Sequence, residues 1–163
     1  MVLLSVGVLL FAVVHFIPSL MPELKNSGIR KLGEGGYKGL FSLLLMASFG
    51  LMIYGWRTAE VSLLYMAPVS LRSAALVVIA IAFLFFAASS LKTRIKRIVR
   101  HPQLTVVALW AAGHLLLNGD SRSVVLFTAL GLWPILYMVF INRRDGPWNK
   151  QEARALPSEF VMM

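Results

Sequence analysis

Three histidines are the side chains of this sequence best suited to hold a metal or move a proton. Two of them, His101 and His114, fall in one stretch running from Arg100-His101-Pro102 to Asn118-Gly119-Asp120. Within it Trp110, His114 and Asn118 recur at every fourth position, so a helix stacks them on one face. An imidazole with Asn118 or Asp120 close behind it is the arrangement by which a protein fixes the ring nitrogen that meets a metal. The structural alternative is that Asn118-Gly119-Asp120 only ends the helix, with Trp110 as packing or as part of an interfacial belt. His101 precedes His114 by thirteen residues. At about 100° per residue the two point about 140° apart, so one regular helix does not turn both toward one ligand. Placed before Pro102, His101 reads as an interfacial helix start with proline at the first helical position, its ring a cap or a lipid-phosphate contact.

His15 lies inside the first apolar run, about 7.5 Å from that run's cytoplasmic end at 1.5 Å per residue. A polar ring at such depth faces a bundle interior, a cavity or a partner. The structural alternative is a neutral imidazole bonded between helices, for instance to Ser19 one turn on. The chain has no cysteine, which removes disulfides, iron-sulfur clusters, thiolate metal sites and cysteine nucleophiles together. It has no Gly-rich phosphate loop, no Ser-His-Asp order and no His-Glu-x-x-His, and its seven acids fall in loops or the tail. Hydrolytic and metallopeptidase chemistry is thereby disfavoured. What remains is two intramembrane histidines on different helices in an aromatic-rich apolar bundle, a setting suited to a haem iron.

The elements that must position these residues follow from composition. Of 163 residues, 58% are hydrophobic and 14% charged, with a mean hydropathy of +0.76, the balance of an integral membrane protein. Apolar runs predict five membrane-spanning helices, over about 1–20, 37–56, 71–91, 102–117 and 123–141, the fourth short for a full crossing. The first lacks a basic leader and a small-residue cleavage site and is expected to be retained as a helix that ends around Pro18 and Pro22. Residues 21–36 read as a polar connector and 58–70 as a loop. Lys92, Arg94, Lys96, Arg97 and Arg100 follow the third span without an acid among them. Of the sixteen Lys and Arg residues, only Arg57, Arg72 and Arg122 fall on the opposite side. The positive-inside rule then places the basic side in the cytoplasm, the N-terminus outside and the C-terminus inside. The expected architecture is all-α: one five-helix bundle over 1–141 and a polar cytoplasmic tail over 142–163. The net charge of +9 sits in short loops between apolar runs, where it contacts anionic lipid; nucleic acid is not an expected partner.

The residues also carry a resemblance. His15-Phe16-Ile17-Pro18, the run Leu32-Gly33-Glu34-Gly35-Gly36-Tyr37-Lys38-Gly39-Leu40-Phe41-Ser42, and Arg100-His101-Pro102 followed by Trp110, His114-Leu115 and Asn118-Gly119-Asp120 resemble the NnrU family of bacterial membrane proteins. That family shares its domain with the 15-cis-zeta-carotene isomerases of plants and cyanobacteria. The resemblance implies a bacterial inner-membrane location and, from the isomerase branch, a b-type haem with redox-dependent cis-trans isomerisation of an apolar polyene. By motif position it makes His15 and His114 the axial ligands and His101 a supporting or alternative one, with Trp110 and Asn118 beside the cofactor. The NnrU branch implies an association with nitrite and nitric oxide respiration, which admits a non-catalytic accessory or assembly role with structural histidines. A third reading is a membrane methyltransferase using S-adenosylmethionine, since Arg-His-Pro before a membrane helix also occurs there. Gln103-Leu104-Thr105 lacks the Tyr and Gly expected after that tripeptide.

Overall fold

A computed structural model describes residues 1–90 and 99–148. These form five α-helices: α1 (Val2–Leu20), α2 (Pro22–Thr58), α3 (Val69–Ser90), α4 (Pro102–Leu117) and α5 (Ser121–Asp145), with no strand among the described residues. Helices α1, α2, α3 and α5 are each long and apolar enough to cross a bilayer, and α4 is a shorter apolar helix of 16 residues. At 1.5 Å per residue α4 covers about 24 Å, against about 30 Å of hydrocarbon. The protein is a multi-pass membrane protein. Large apolar side chains such as Leu43, Met46 and Ile53 on α2, and Val77, Phe83 and Leu84 on α3, are exposed, as a lipid-facing surface requires. The basic residues Lys92, Arg94, Lys96 and Arg97 lie outside the described residues, as does the tail beyond residue 148.

Two expected boundaries move. Residues 21–36 are not a loop: Pro22 opens α2 at its first position with Glu23 in the first turn, both favourable at a helix start. The helix changes direction at Gly33, whose φ of 72° and ψ of 167° belong to a region open essentially to glycine. The two arms fold toward each other there, since a Cβ on Gly28 would stand 2.9 Å from the Tyr37 ring. A straight helix would separate that pair by about 13 Å. The first helix ends at Leu20, as expected, because a proline in the last turn costs little helix beyond it; Met21 makes the break. At the other end α5 continues past the expected 141 to Asp145, where Gly146 closes it at φ 68°.

The helices alternate in direction. Leu4 lies against Gly55 and Phe11 against Phe49, so α1 and α2 are antiparallel. Trp110 meets Phe127 and His101 meets Asn142, so α4 and α5 are antiparallel as well. The main packings are α2 on α1, α1 on α5, α5 on α4 and α4 on α3. Within the expected five-helix bundle these packings follow the row order α2, α1, α5, α4, α3, and α2 also meets α5 where Arg122 contacts Trp56. Its tightest seam is α1 with α2: a Cβ on Gly7 would come 2.7 Å from the Met52 amide nitrogen, and one on Gly55 would enter the Leu4 backbone. Small residues admit this approach, which substitutes for hydrophobic drive inside lipid. Around it Leu4, Val8 and Met52 are buried with Trp56, Leu126 and Leu130 packed on them.

At the end where the polypeptide starts, residues 59–68 strap across the turn between α4 and α5. The Leu64 and Tyr65 amides donate to the Gly119 carbonyl at 2.8 and 3.2 Å, and the Ser121 amide donates to Ser62 at 2.8 Å. Leu63 and Asp120 form an isolated antiparallel bridge. The Tyr65 hydroxyl donates to the Leu115 and Asn118 carbonyls, two of the acceptors left over at the end of α4.

Candidate functional site

His15 is held from its own helix. Its Nδ1 lies 2.9 Å from the Phe11 carbonyl, one turn back, and a carbonyl only accepts, so Nδ1 carries the proton. Nε2 is then the nitrogen with the free lone pair, the tautomer that metal-binding histidines use when a backbone carbonyl orients the ring. The expected partner Ser19 is engaged elsewhere, with the Tyr137 hydroxyl of α5. Three rings enclose the imidazole: Phe11 at 4.1 Å between centroids, Trp133 of α5 at 4.9 Å and Phe41 of α2 at 5.9 Å. His15 thus sits on a seam of three helices, α1, α2 and α5.

Two hydrogen-bonding groups beside this seam are spare. Trp133 is 9% exposed, yet its Nε1 has no hydrogen-bond partner among the described residues. The buried Tyr37 hydroxyl, whose ring lies 6.5 Å from that of Phe41, is likewise without one. Indole N–H only donates, so an acceptor brought by a bound molecule would satisfy it.

His114 stands in a different set. Its ring is stacked on Phe127 of α5, centroids 4.3 Å apart and planes within 6°, with Trp110 edge-on at 4.8 Å. The four-residue spacing does bring Trp110 and His114 together. It does not bring a second group to the ring: Asn118 Nδ2 donates to the His114 backbone carbonyl at 3.0 Å. The Asp120 carboxylate caps α5, accepting from the Arg122 and Ser123 amides at 3.1 Å and from Ser123 Oγ at 2.5 Å. Neither residue orients the imidazole, because the end of α4 and the start of α5 claim both side chains.

His15 and His114 share no ring partner. Their neighbours on α5, Trp133 and Phe127, are six residues or about 9 Å apart along the axis. Two nitrogens on one metal stand about 4 Å apart at ordinary metal–nitrogen lengths of about 2 Å. As the helices stand, the two imidazoles belong to separate aromatic sets, His15 with Phe11, Phe41 and Trp133 and His114 with Trp110 and Phe127. His101 lies at the far end of α5, its Nε2 2.9 Å from Asn142 Oδ1. It is the residue before Pro102 at the start of α4, as expected, but its ring ties α4 to α5 instead of capping the helix. Beside it Arg100 donates to the Gly146 carbonyl at 2.9 Å. Among the described residues no three His, Asp or Glu side chains gather into a metal-binding group.

The residues not foreseen from sequence are Phe11, Trp133 and Tyr65; Tyr37 and Phe41 stand in the 32–42 run that carries the resemblance, without a role given to them there. Phe11 was accessible, four positions before His15 on the same face. Trp133, with its N–H in mid-span, was a second signal. Tyr65 comes from a distant element and no local pattern points to it.

The chain matches a family model described as NnrU protein over residues 3–163. No curated protein and no solved structure matches it. From the first helix through the last, this chain belongs to the NnrU family.

Proposed function

We propose that this NnrU-family protein crosses the bacterial cytoplasmic membrane five times, basic ends inside, and holds a b-type haem through Nε2 of His15. The observation that carries the reading is the His15 tautomer: one nitrogen tied to the Phe11 carbonyl, the other free on a seam lined by Phe11, Phe41 and Trp133. The spare Trp133 and Tyr37 donors support it, since haem b brings carboxylates as acceptors. Bound there, the iron supplies one-electron or Lewis-acid chemistry, the class that redox-dependent cis-trans isomerisation of an apolar polyene needs. The aromatic walls exclude water and offer flat apolar faces; His15 fixes the orientation. Haem retained by purified protein and lost in His15→Ala, but not in His114→Ala, is the test.

A second reading is a non-catalytic accessory or assembly factor for nitrogen-oxide respiratory proteins. It is favoured by the packing of both imidazoles into separate aromatic sets, as structural histidines pack. A His15→Ala, His114→Ala double variant that still co-purifies with a reductase and supports respiration would select it.

A further inference from the structure

Away from the histidines, two adjoining clefts open at the end of the molecule where α3 begins and α4 ends. One, of about 420 Å³, is lined by Ala67, Val69, Leu76 and Leu117 and carries the polar groups Arg72 and Asn118. The other, of about 300 Å³, is apolar but for Tyr65 and runs along Met66, Leu71 and Leu115. They share Ala67, Pro68 and Leu116, so they form one groove with a charged end and a greasy end. Each lies within the size range of small-molecule sites.

The three cations of this end are not alike. Arg122 is committed: its Nη1 donates to the Trp56 carbonyl at 3.2 Å, its guanidinium lies 4.9 Å from the Trp56 ring, and Asp120 is 3.6 Å away. Arg57 ends α2, next to the Trp56 that Arg122 contacts, and does not line the groove. Arg72, one turn inside α3, lines the groove with no hydrogen-bond or ionic partner among the described residues. Asn118 beside it spends one of its two amide N–H groups on the His114 carbonyl and keeps the other. A guanidinium and a spare amide above an apolar trough match an anion with a chain attached. A free anion has no use for the trough, and a hydrocarbon leaves Arg72 unanswered.

We propose that this groove is a binding site for an anionic phospholipid, with the phosphate on Arg72 and Asn118 and an acyl chain along Leu116, Leu71 and Met66. Basic pockets between membrane helices recognise headgroups in this way on the cytoplasmic side, and the same pairing of charge with an apolar trough serves at this opposite end. The strap of residues 59–68 builds one wall, so the Asn118-Gly119-Asp120 turn that anchors the strap also shapes the groove.

The test uses full-length protein in nanodiscs containing phosphatidylglycerol with a photoreactive group on one acyl chain, followed by peptide mapping. Saturable labelling within 65–72 and 115–118, reduced at least fivefold by Arg72→Gln and by Leu116→Trp but not by Arg57→Gln, supports the site. Competition by unlabelled phosphatidylglycerol and not by phosphatidylcholine or inorganic phosphate supports the charged-lipid assignment. Equal labelling with photoreactive phosphatidylcholine, labelling indifferent to Arg72→Gln, or displacement by inorganic phosphate alone overturns it. Circular dichroism shows whether each variant keeps its helices. Arg72→Lys, which keeps the charge, retains most of the labelling if the site is as described; loss equal to that of Arg72→Gln in a folded protein counts against a charge-selective site.

Discussion

His15 spends one ring nitrogen on its own helix and keeps the other, and this division gives the site its chemistry. Around it, side chains that look functional by spacing turn out to serve helix ends. Asp120 is the clearest case. Partial burial by itself would raise its carboxyl, but the Ser123 hydroxyl and amide, the Arg122 amide and the Arg122 charge together hold it below the ordinary Asp value of 3.8. Because the native value is the lower one, the stabilisation is complete above the ordinary range and is lost as the pH falls through the native value. Asp120→Ala is expected to reduce the unfolding free energy at neutral pH by about 0.5–2 kcal/mol, as for other lost caps, and to flatten its fall in acid. Thermal unfolding of both proteins across the acid range checks this. Sequence reading found His15 and the Trp110–His114 contact because both rest on depth and helical spacing alone. It left Asn118 and Asp120 open between the His114 ring and the helix end, because a carboxamide and a carboxylate serve equally as metal-site support and as helix caps. Only the backbone geometry of the α4–α5 turn separates the two roles.

Among the elements, the strap over 59–68 is the least legible in sequence and the most consequential for shape. Its contacts join residues fifty or more positions apart, and no periodicity signals such a pairing. Gly119 is the position on which it depends. A Cβ there would overlap the Tyr65 carbonyl oxygen, so Gly119→Ala must push the strap off the turn. The expected cost is about 1–3 kcal/mol, that of overpacking. Unfolding in mixed micelles measures it, and an unchanged midpoint would mean that the strap does not lock the turn. The bend in α2 is the other element hidden from pattern reading. Four glycines in residues 28–36 announce a loop, yet only Gly33 takes a conformation that requires glycine and the rest are helical. Hydropathy delimits spans well in α1, α3 and α4, where apolar residues run the whole length, and fails where a polar helix simply continues into an apolar one.

At the scale of the whole molecule, composition and charge carry most of what is known. The apolar runs predict helices that do form, and the antiparallel packing brings Lys25, Arg30, Lys31, Arg100, Arg143 and Arg144 to one end. The orientation proposed from that asymmetry is directly measurable, since the natural chain has no cysteine to mask. Cysteines introduced at Lys31 and at the 81%-exposed Met66 are expected to react from the cytoplasmic and the outer side respectively with a membrane-impermeant maleimide. Reaction of both from one side would require an even number of crossings between them. The row order, with α5 central, was not legible: hydropathy gives the number of helices but not which faces meet. His15 and His114 have different ring neighbours on α5, Trp133 and Phe127, and the proposal of one histidine ligand instead of two rests on that difference. The absorption spectrum of the detergent-purified protein, oxidised and reduced, after expression with ample haem, tests it most directly. The expected result is a Soret band that shifts on reduction, disappears in His15→Ala and persists in His114→Ala. A haem-free protein, or a band abolished by His114→Ala as completely as by His15→Ala, would contradict it.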